Sequence, residues 1–169
     1  MTNSMWNVRE LVDDEWELLC EARLEALKES PQAFLSRHDH VSSWGEPEWR
    51  ATFIAARWVV VAPDCDIVGL LHSVRDRATP RSREVQSIWV RPEYRKRGVF
   101  RSMLNTLAKW EWAAGARDLW LWVLEDNHDA QRAYEHVGFC LEGEPQPLPD
   151  VPNQSERRMR MPLTGSPSS

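Results

Sequence analysis

Val90-Arg91-Pro92-Glu93-Tyr94-Arg95-Lys96-Arg97-Gly98-Val99-Phe100-Arg101 joins an apolar β-rich run to a helical one through a basic, glycine-containing turn. Before it, Glu84 to Val90 has the composition of a strand, stopped by Arg91-Pro92. After it, Met103, Leu107, Trp110 and Ala114 recur at helical spacing. A strand that passes into a helix through a basic, glycine-containing turn aims successive backbone N–H groups and the helix N-terminus at one place, an arrangement suited to an anion. Gly98 lets the chain turn closely. A solvated basic loop capping a helix is the plainer alternative, and one glycine with several arginines does not separate the two.

Further from this turn, Asp13 or Asp14 caps a first helix with Trp16, Leu19, Cys20 and Leu27 on one side, ending before Ser30-Pro31. Pro31 to Gly45 is polar and irregular, and Glu46-Pro47-Glu48 opens a short helix through Trp49 and Phe53. Trp58 to Ala62 and Ile67 to Val74 read as a hairpin joined by a tight polar turn. Leu119, Leu121 and Val123 alternate with Trp120 and Trp122 in another strand. Asn127 then caps a helix carrying Ala130, Ala133, Tyr134 and Val137, with Gly138 as its left-handed stop. Phe139 to Glu142 and Arg157 to Met161 are expected as the last strands, separated by a proline-rich loop. Residues 1–163 are read as one domain and 164–169 as a disordered tail.

Composition narrows the function classes. The 169 residues include ten Trp against two Tyr, so most indoles are expected in the core or in cleft walls. A net charge of -5 argues against a nucleic-acid partner, which needs a basic face to neutralise phosphates. Cys20, Cys65 and Cys140 are odd in number and widely spaced, which suggests neither a disulfide framework nor a zinc site and fits a reducing cytoplasm. His38 and His40 sit in a polar loop without further nearby ligands, so no metal is expected. Met1 to Val8 lacks the basic start and apolar run of a signal peptide, and no stretch approaches the ~20 apolar residues of a membrane span.

Two blocks together resemble the GNAT acetyltransferase superfamily. Val90 to Val99 is similar to its acetyl-coenzyme A signature, a strand ending in Val and Pro followed by Gln/Arg-x-x-Gly-x-Gly/Ala, with Arg95 and Gly98 matching. Phe100 departs from the second small residue of that pattern, so its ring is expected to point away from the phosphates. Asn127-His128-Asp129-Ala130-Gln131-Arg132-Ala133-Tyr134-Glu135-His136-Val137-Gly138-Phe139 is similar to the family's Asn, Ala, Tyr and Gly-Phe at these spacings. The resemblance implies an α/β (α+β) fold, with a mixed central sheet of six to seven strands flanked by helices. It also implies an N-acetyltransferase in which an amine attacks acetyl-CoA directly in a ternary complex. Trp89 and Val90 would meet the pantetheine arm through their backbone, Arg95, Lys96, Arg97, Gly98, Val99, Phe100 and Arg101 the pyrophosphate.

In the resembling enzymes the residue equivalent to Tyr134 stands near the thioester sulfur and protonates the departing thiolate; the alternative is a core tyrosine with its hydroxyl at the rim. Asn127 reads first as an N-cap and second as a cofactor contact. An amine with a pKa near ~10.4 must lose a proton before it attacks. Glu84 matches the glutamate that serves as base in many resembling enzymes, an exposed strand-end carboxylate is the alternative reading, and His72 is a second candidate base.

The acceptor is expected to be a small cationic or aromatic amine, because the chain is acidic, Asp39, Glu46 and Glu48 lie in one loop, and Trp44 and Trp49 offer rings to a cation. Protein lysines or N-termini are the alternative acceptors, and a non-catalytic CoA-binding sensor is the alternative of another class. Neither a nucleic acid nor a membrane is expected as partner, and exposed Trp on an edge strand would support a homodimer.

Overall fold

The structure is a computed structural model that describes residues 6–31, 41–75, 78–148 and 151–165. Its strands are β1 (Val8–Glu10), β2 (Ala56–Val61), β3 (Gly69–Arg75), β4 (Ser82–Val90), β5 (Asp118–Leu124), β6 (Cys140–Pro147) and β7 (Ser155–Pro162). Its helices are α1 (Trp16–Glu29), α2 (Glu46–Ala55), α3 (Val99–Ala113) and α4 (His128–His136). Hydrogen bonding orders the sheet β1-β2-β3-β4-β5-β7-β6, with β4 and β5 parallel and β5, β7 and β6 antiparallel. Among the described residues, a mixed seven-stranded sheet flanked by helices is the architecture the sequence leads one to expect.

Contacts group the chain into two compact units, Met1–Val74 with Ser87–Leu107 and Arg75–Gln86 with Ala108–Ser169. In the first unit, β2 and β3 form the expected hairpin, with Trp58 opposite His72. Leu19, Ala26, Leu27, Trp49, Trp58, Val60, Leu70 and Trp89 close its core. Trp49 is 1% exposed and edge-on to Trp44 at 5.1 Å, so it cannot offer its ring to a cation as expected from the sequence. Burying its indole was worth more than exposing it, as the apolar spacing of a short helix favours. Glu46 is taken up by Arg50, and Glu48 accepts the Gly45 N–H as a cap. Asp39 lies outside the described residues.

In the second unit, Leu119, Leu121, Val123 and Met159 are buried, while Trp120, Trp122, Arg158 and Arg160 occupy the other face. The two indoles therefore stand on an interior strand of the sheet. Arg83 and Glu111 form a buried ion pair at 2.8 Å, each side chain 5% exposed. β6 runs through Pro145 to Pro147, where a loop is expected from the sequence. It is the sheet's edge strand, and its register against β7 shifts between Glu142 and Gln146, two settings that tolerate proline. Gly138, at φ 113°, ends α4 as expected.

Candidate functional site

The turn between β4 and α3 belongs to the first unit and is built from the backbone upward. Pro92–Tyr94 forms a 3-10 turn, closed by Tyr94 N–H to the Arg91 carbonyl at 2.9 Å and Arg95 N–H to the Pro92 carbonyl at 3.2 Å. Lys96 (φ 59°) and Gly98 (φ 81°) are both left-handed, and α3 begins at Val99, its first N–H closure running from Ser102 to the Gly98 carbonyl at 3.0 Å. Alternating handedness of this kind points neighbouring N–H groups into one concavity. The N–H groups of Val99, Phe100 and Arg101 face the open end of a 15-residue helix, where the dipole favours negative charge. A Cβ built on Gly98 meets nothing within 4 Å, so the turn is open on that side. These are the features a pyrophosphate requires.

The side chains of the turn divide into scaffold and surface. Arg95 donates to the Val90 carbonyl at 2.9 Å and to Glu29 Oε2 at 2.6 Å. Glu29 also accepts the Trp89 indole at 3.1 Å and the Ser30 hydroxyl. Burial works to raise the Glu29 carboxyl, but the hydrogen bonds from Ser30, Arg95 and Trp89 outweigh it and hold the group below its usual range. Arg91 makes a two-pronged pair with Glu25 at 2.9 and 2.8 Å, and its N–H donates to the Val68 carbonyl at 2.8 Å. Lys96, Arg97 and Arg101 are exposed, Val99 is buried and Phe100 half-buried. Trp6 clasps the turn from the N-terminus, donating its indole N–H to the Arg97 carbonyl at 2.8 Å and packing edge-on against Tyr94.

Gly69 supports the turn from behind. A Cβ there would lie 2.6 Å from Val99 Cγ1 and 3.1 Å from Met103 Cε, so only glycine lets the start of α3 approach β3 this closely. Trp6, Glu25, Glu29 and Gly69 were not identified from the sequence. Their contacts bridge up to 91 residues and leave no local signal.

Within β4, Ser87 is left-handed at φ 56°, which interrupts the alternation of faces along the strand. His72 is 8% exposed, with its ring 4.1 Å from that of Trp58.

The second unit carries the other predicted residues. Glu84 is half-buried and pairs in register with Trp120; the β4–β5 ladder spans Ser82–Asp118, Arg83–Leu119 and Glu84–Trp120. Burial raises the Glu156 carboxyl, and the negative charge of Glu84 raises it further, so these two carboxylates sense one another. Asn127 caps α4, its Oδ1 accepting the Ala130 N–H at 3.2 Å. Tyr134 is partly exposed as a residue and lies edge-on to Phe139 at 6.2 Å. Burial of its hydroxyl pushes the phenol up to about 12. A phenol at that value stays protonated at neutral pH and gives up its proton less readily than a solvated one.

Among the described residues no group of three or more His, Cys, Asp or Glu is arranged to hold a metal ion, and His38 and His40 lie outside them. No helix among the described residues is long and apolar enough to cross a membrane.

A strand–turn–helix segment suited to an anion stands on a mixed seven-stranded sheet, and comparison with known proteins gives the class. Residues 13–139 match the model of the acetyltransferase (GNAT) family, and the chain belongs to that family and is an acyltransferase. A GNAT-family acetyltransferase from Streptococcus pneumoniae superposes with a TM-score of 0.78 at 16% identity, covering 93% of this chain and 99% of the other. The spermidine N-acetyltransferase from Vibrio cholerae, solved with CoA and spermine, gives 0.72 at 20% identity over 95% and 97%. A nourseothricin acetyltransferase shares 30% identity over 65% of this chain and 66% of its own, with a TM-score of 0.59. No curated protein matches the chain in sequence.

Proposed function

We propose that this acyltransferase moves the acetyl group of acetyl-CoA to the primary amine of a small molecule, by direct attack in a ternary complex. The observation that carries the donor assignment is the pair of left-handed residues, Lys96 and Gly98, ahead of the α3 N-terminus. The N–H groups from Gly98 to Arg101 would hold the pyrophosphate, with Lys96, Arg97 and Arg101 adding charge at the surface. The β4 backbone at Trp89 and Val90 would meet the pantetheine arm, and Asn127 would combine capping with a donor contact. Acetyl-CoA brings the activated thioester.

The chain's own groups handle protons. Glu84, directly or through water, takes the proton that the ammonium of the acceptor must lose. The free amine then forms the N–C bond and the C–S bond breaks; the Tyr134 hydroxyl gives its proton to the sulfur, and the proton that the newly acylated nitrogen sheds passes through water to restore the phenol. A phenol near 12 opposes transfer to a solvated thiolate of pKa ~8.5 by roughly three orders of magnitude, but a desolvated thiolate is a stronger base, which narrows the gap. A small-molecule acceptor is favoured by the acidic chain and by the carboxylates and indoles on the face of β4, β5 and β7. That solved relatives include a spermidine and a nourseothricin acetyltransferase fits this reading. Three free cysteines fit a cytoplasmic setting.

The test is thiol release from acetyl-CoA against a panel of small amines and of lysine-containing and N-terminal peptides, with products identified by mass. Acetylation of small amines faster than of any peptide is expected. Faster acetylation of a peptide would replace the small-molecule reading, and tight CoA binding without any turnover would mark a sensor.

A further inference from the structure

One face of the second unit holds a cavity that the transfer chemistry does not use. Its volume is about 420 Å³, and its lining includes Ser82, Asp118, Trp122, Glu142, Glu144, Arg158 and Arg160. Asp118 is 5% exposed. Its Oδ2 accepts from Arg160 at 3.0 Å, while Oδ1 is buried and has no hydrogen-bond partner among the described residues. A buried carboxylate oxygen left without a donor is costly and calls for one.

Both guanidiniums of the lining are ion-paired, although Arg158 Nε, 3.3 Å from Glu142, makes no hydrogen bond among the described residues. Arg160 pairs with Asp118 and stands 3.7 Å from Glu142, and Arg158 pairs with Glu142 at 3.3 Å while stacking over the Trp120 ring at 4.5 Å. Glu144 adds a third carboxylate against these two cations, so the lining keeps a negative excess. Trp122 supplies an aromatic wall, to which a cation is attracted. An unmatched buried acceptor, negative excess and an indole together select an organic cation.

The position of the cavity gives the cation its place. Ser82 and Glu84 are two residues apart on one face of β4, and Asp118 and Trp120 are their partners on β5. Two residues along a strand span about 7 Å. We propose that the cavity holds a second, non-reacting ammonium of the acceptor, so that the substrate is a linear diamine or polyamine with Asp118, Glu142 and Trp122 as its specificity determinants. This rests on the reading of Glu84 as the base for the reacting amine. An ammonium at Asp118 with its neighbour at Glu84 matches a chain of about four to six methylenes. The charge of Glu84 reaches the Glu156 carboxyl as well and raises it, so negative charge already gathers where the reacting amine would stand.

The experiment compares initial rates of thiol release for unbranched monoamines and α,ω-diamines of three to eight carbons, with parallel calorimetric titration of the full chain by 1,5-diaminopentane. We expect kcat/KM for a diamine of four to six carbons to exceed that of the equal-length monoamine about tenfold or more. Glu142→Gln should shrink this ratio at least threefold through KM, with kcat for the diamine retained. Asp118→Asn should do the same, and Glu142, whose side chain is 42% exposed, keeps the test readable if that buried change impairs folding. Equal kcat/KM for monoamines and diamines, or an undiminished ratio in Glu142→Gln, would overturn the proposal while leaving amine acetylation intact. If no amine is acetylated, it is the transferase reading that falls. The titration then decides the cavity: diamine binding weakened by Glu142→Gln supports it, and absence of binding overturns it.

Discussion

Gly69→Ala is a one-methyl perturbation that reaches the donor site without touching it. The new Cβ would sit 2.6 Å from Val99 Cγ1 and 3.1 and 3.3 Å from Met103 Cε and Sδ. Carbon atoms pack at about 3.5–4.0 Å, so Val99 must withdraw by about 1 Å. Met103 can swing its thioether aside, but Val99 is β-branched, 1% exposed and the first residue of α3. The strain therefore passes to the helix start, and with it to the N–H groups of Val99 to Arg101. Overpacking of this kind costs about 1–3 kcal/mol. In a chain of this length each kcal/mol lowers Tm by about 2–4 °C. Misplacing N–H donors around an anion by a similar distance should weaken acetyl-CoA by about tenfold, because charge-assisted hydrogen bonds contribute ~1.5–3 kcal/mol each and fade quickly with geometry. Differential scanning calorimetry without ligand and isothermal titration with acetyl-CoA measure the two effects separately. A variant that melts several degrees lower yet binds acetyl-CoA as tightly as the parent would refute the coupling between Gly69, Val99 and the turn.

Tyr134→Phe should lower the single-turnover rate about 100-fold while leaving acetyl-CoA affinity nearly intact, as expected for loss of a proton donor; an unchanged rate with a good acceptor would return Tyr134 to a packing role. The same phenol, pushed up to about 12 in the folded chain, stays protonated after the unfolded chain has released its proton near ~10. Its contribution is thus fully present below about pH 10 and is lost as pH rises towards 12. Stability of the parent relative to Tyr134→Phe should fall across that window, by up to about 2–3 kcal/mol, as urea titrations at several pH values would reveal. Glu111→Gln leaves the 5%-exposed Arg83 guanidinium without its carboxylate and should cost about 3–5 kcal/mol in thermal or urea unfolding. Replacing both residues by apolar ones of similar volume should recover most of that loss.

The elements with strict periodicity were readable from the chain alone. Leu119, Leu121 and Val123 alternate with Trp120 and Trp122, and burial follows that alternation residue by residue. Three-residue β1 is too short to show a period and was not foreseen; it exists because Val8 to Glu10 find Val59 to Val61. Pro145 and Pro147 argued for a loop, and only the position of β6 at the sheet edge makes a strand possible there. Trp49 on its short helix was expected to offer its ring to a cation, and packing against Trp44 holds it in the interior instead.

The donor turn was legible because glycine, basic residues and a helix start are neighbours in sequence. What holds the turn was not, since Arg95 to Glu29 spans 66 residues and Trp6 to Arg97 spans 91. The cavity was equally hidden. Asp118, Glu142 and Arg160 become neighbours only through the register of β5, β7 and β6, which no spacing rule predicts.

Isothermal titration of acetyl-CoA into the parent chain and into Gly98→Asp separates a pyrophosphate cradle at this turn from a merely basic loop. Gly98 has open space around its Cβ position, and aspartate tolerates left-handed backbone better than most residues, so the substitution adds a charge with little steric cost. The account predicts one binding site per chain in the parent and affinity at least about tenfold weaker in the variant, because a carboxylate at the turn repels the pyrophosphate. Equal affinity in both, or no binding by the parent, would contradict it.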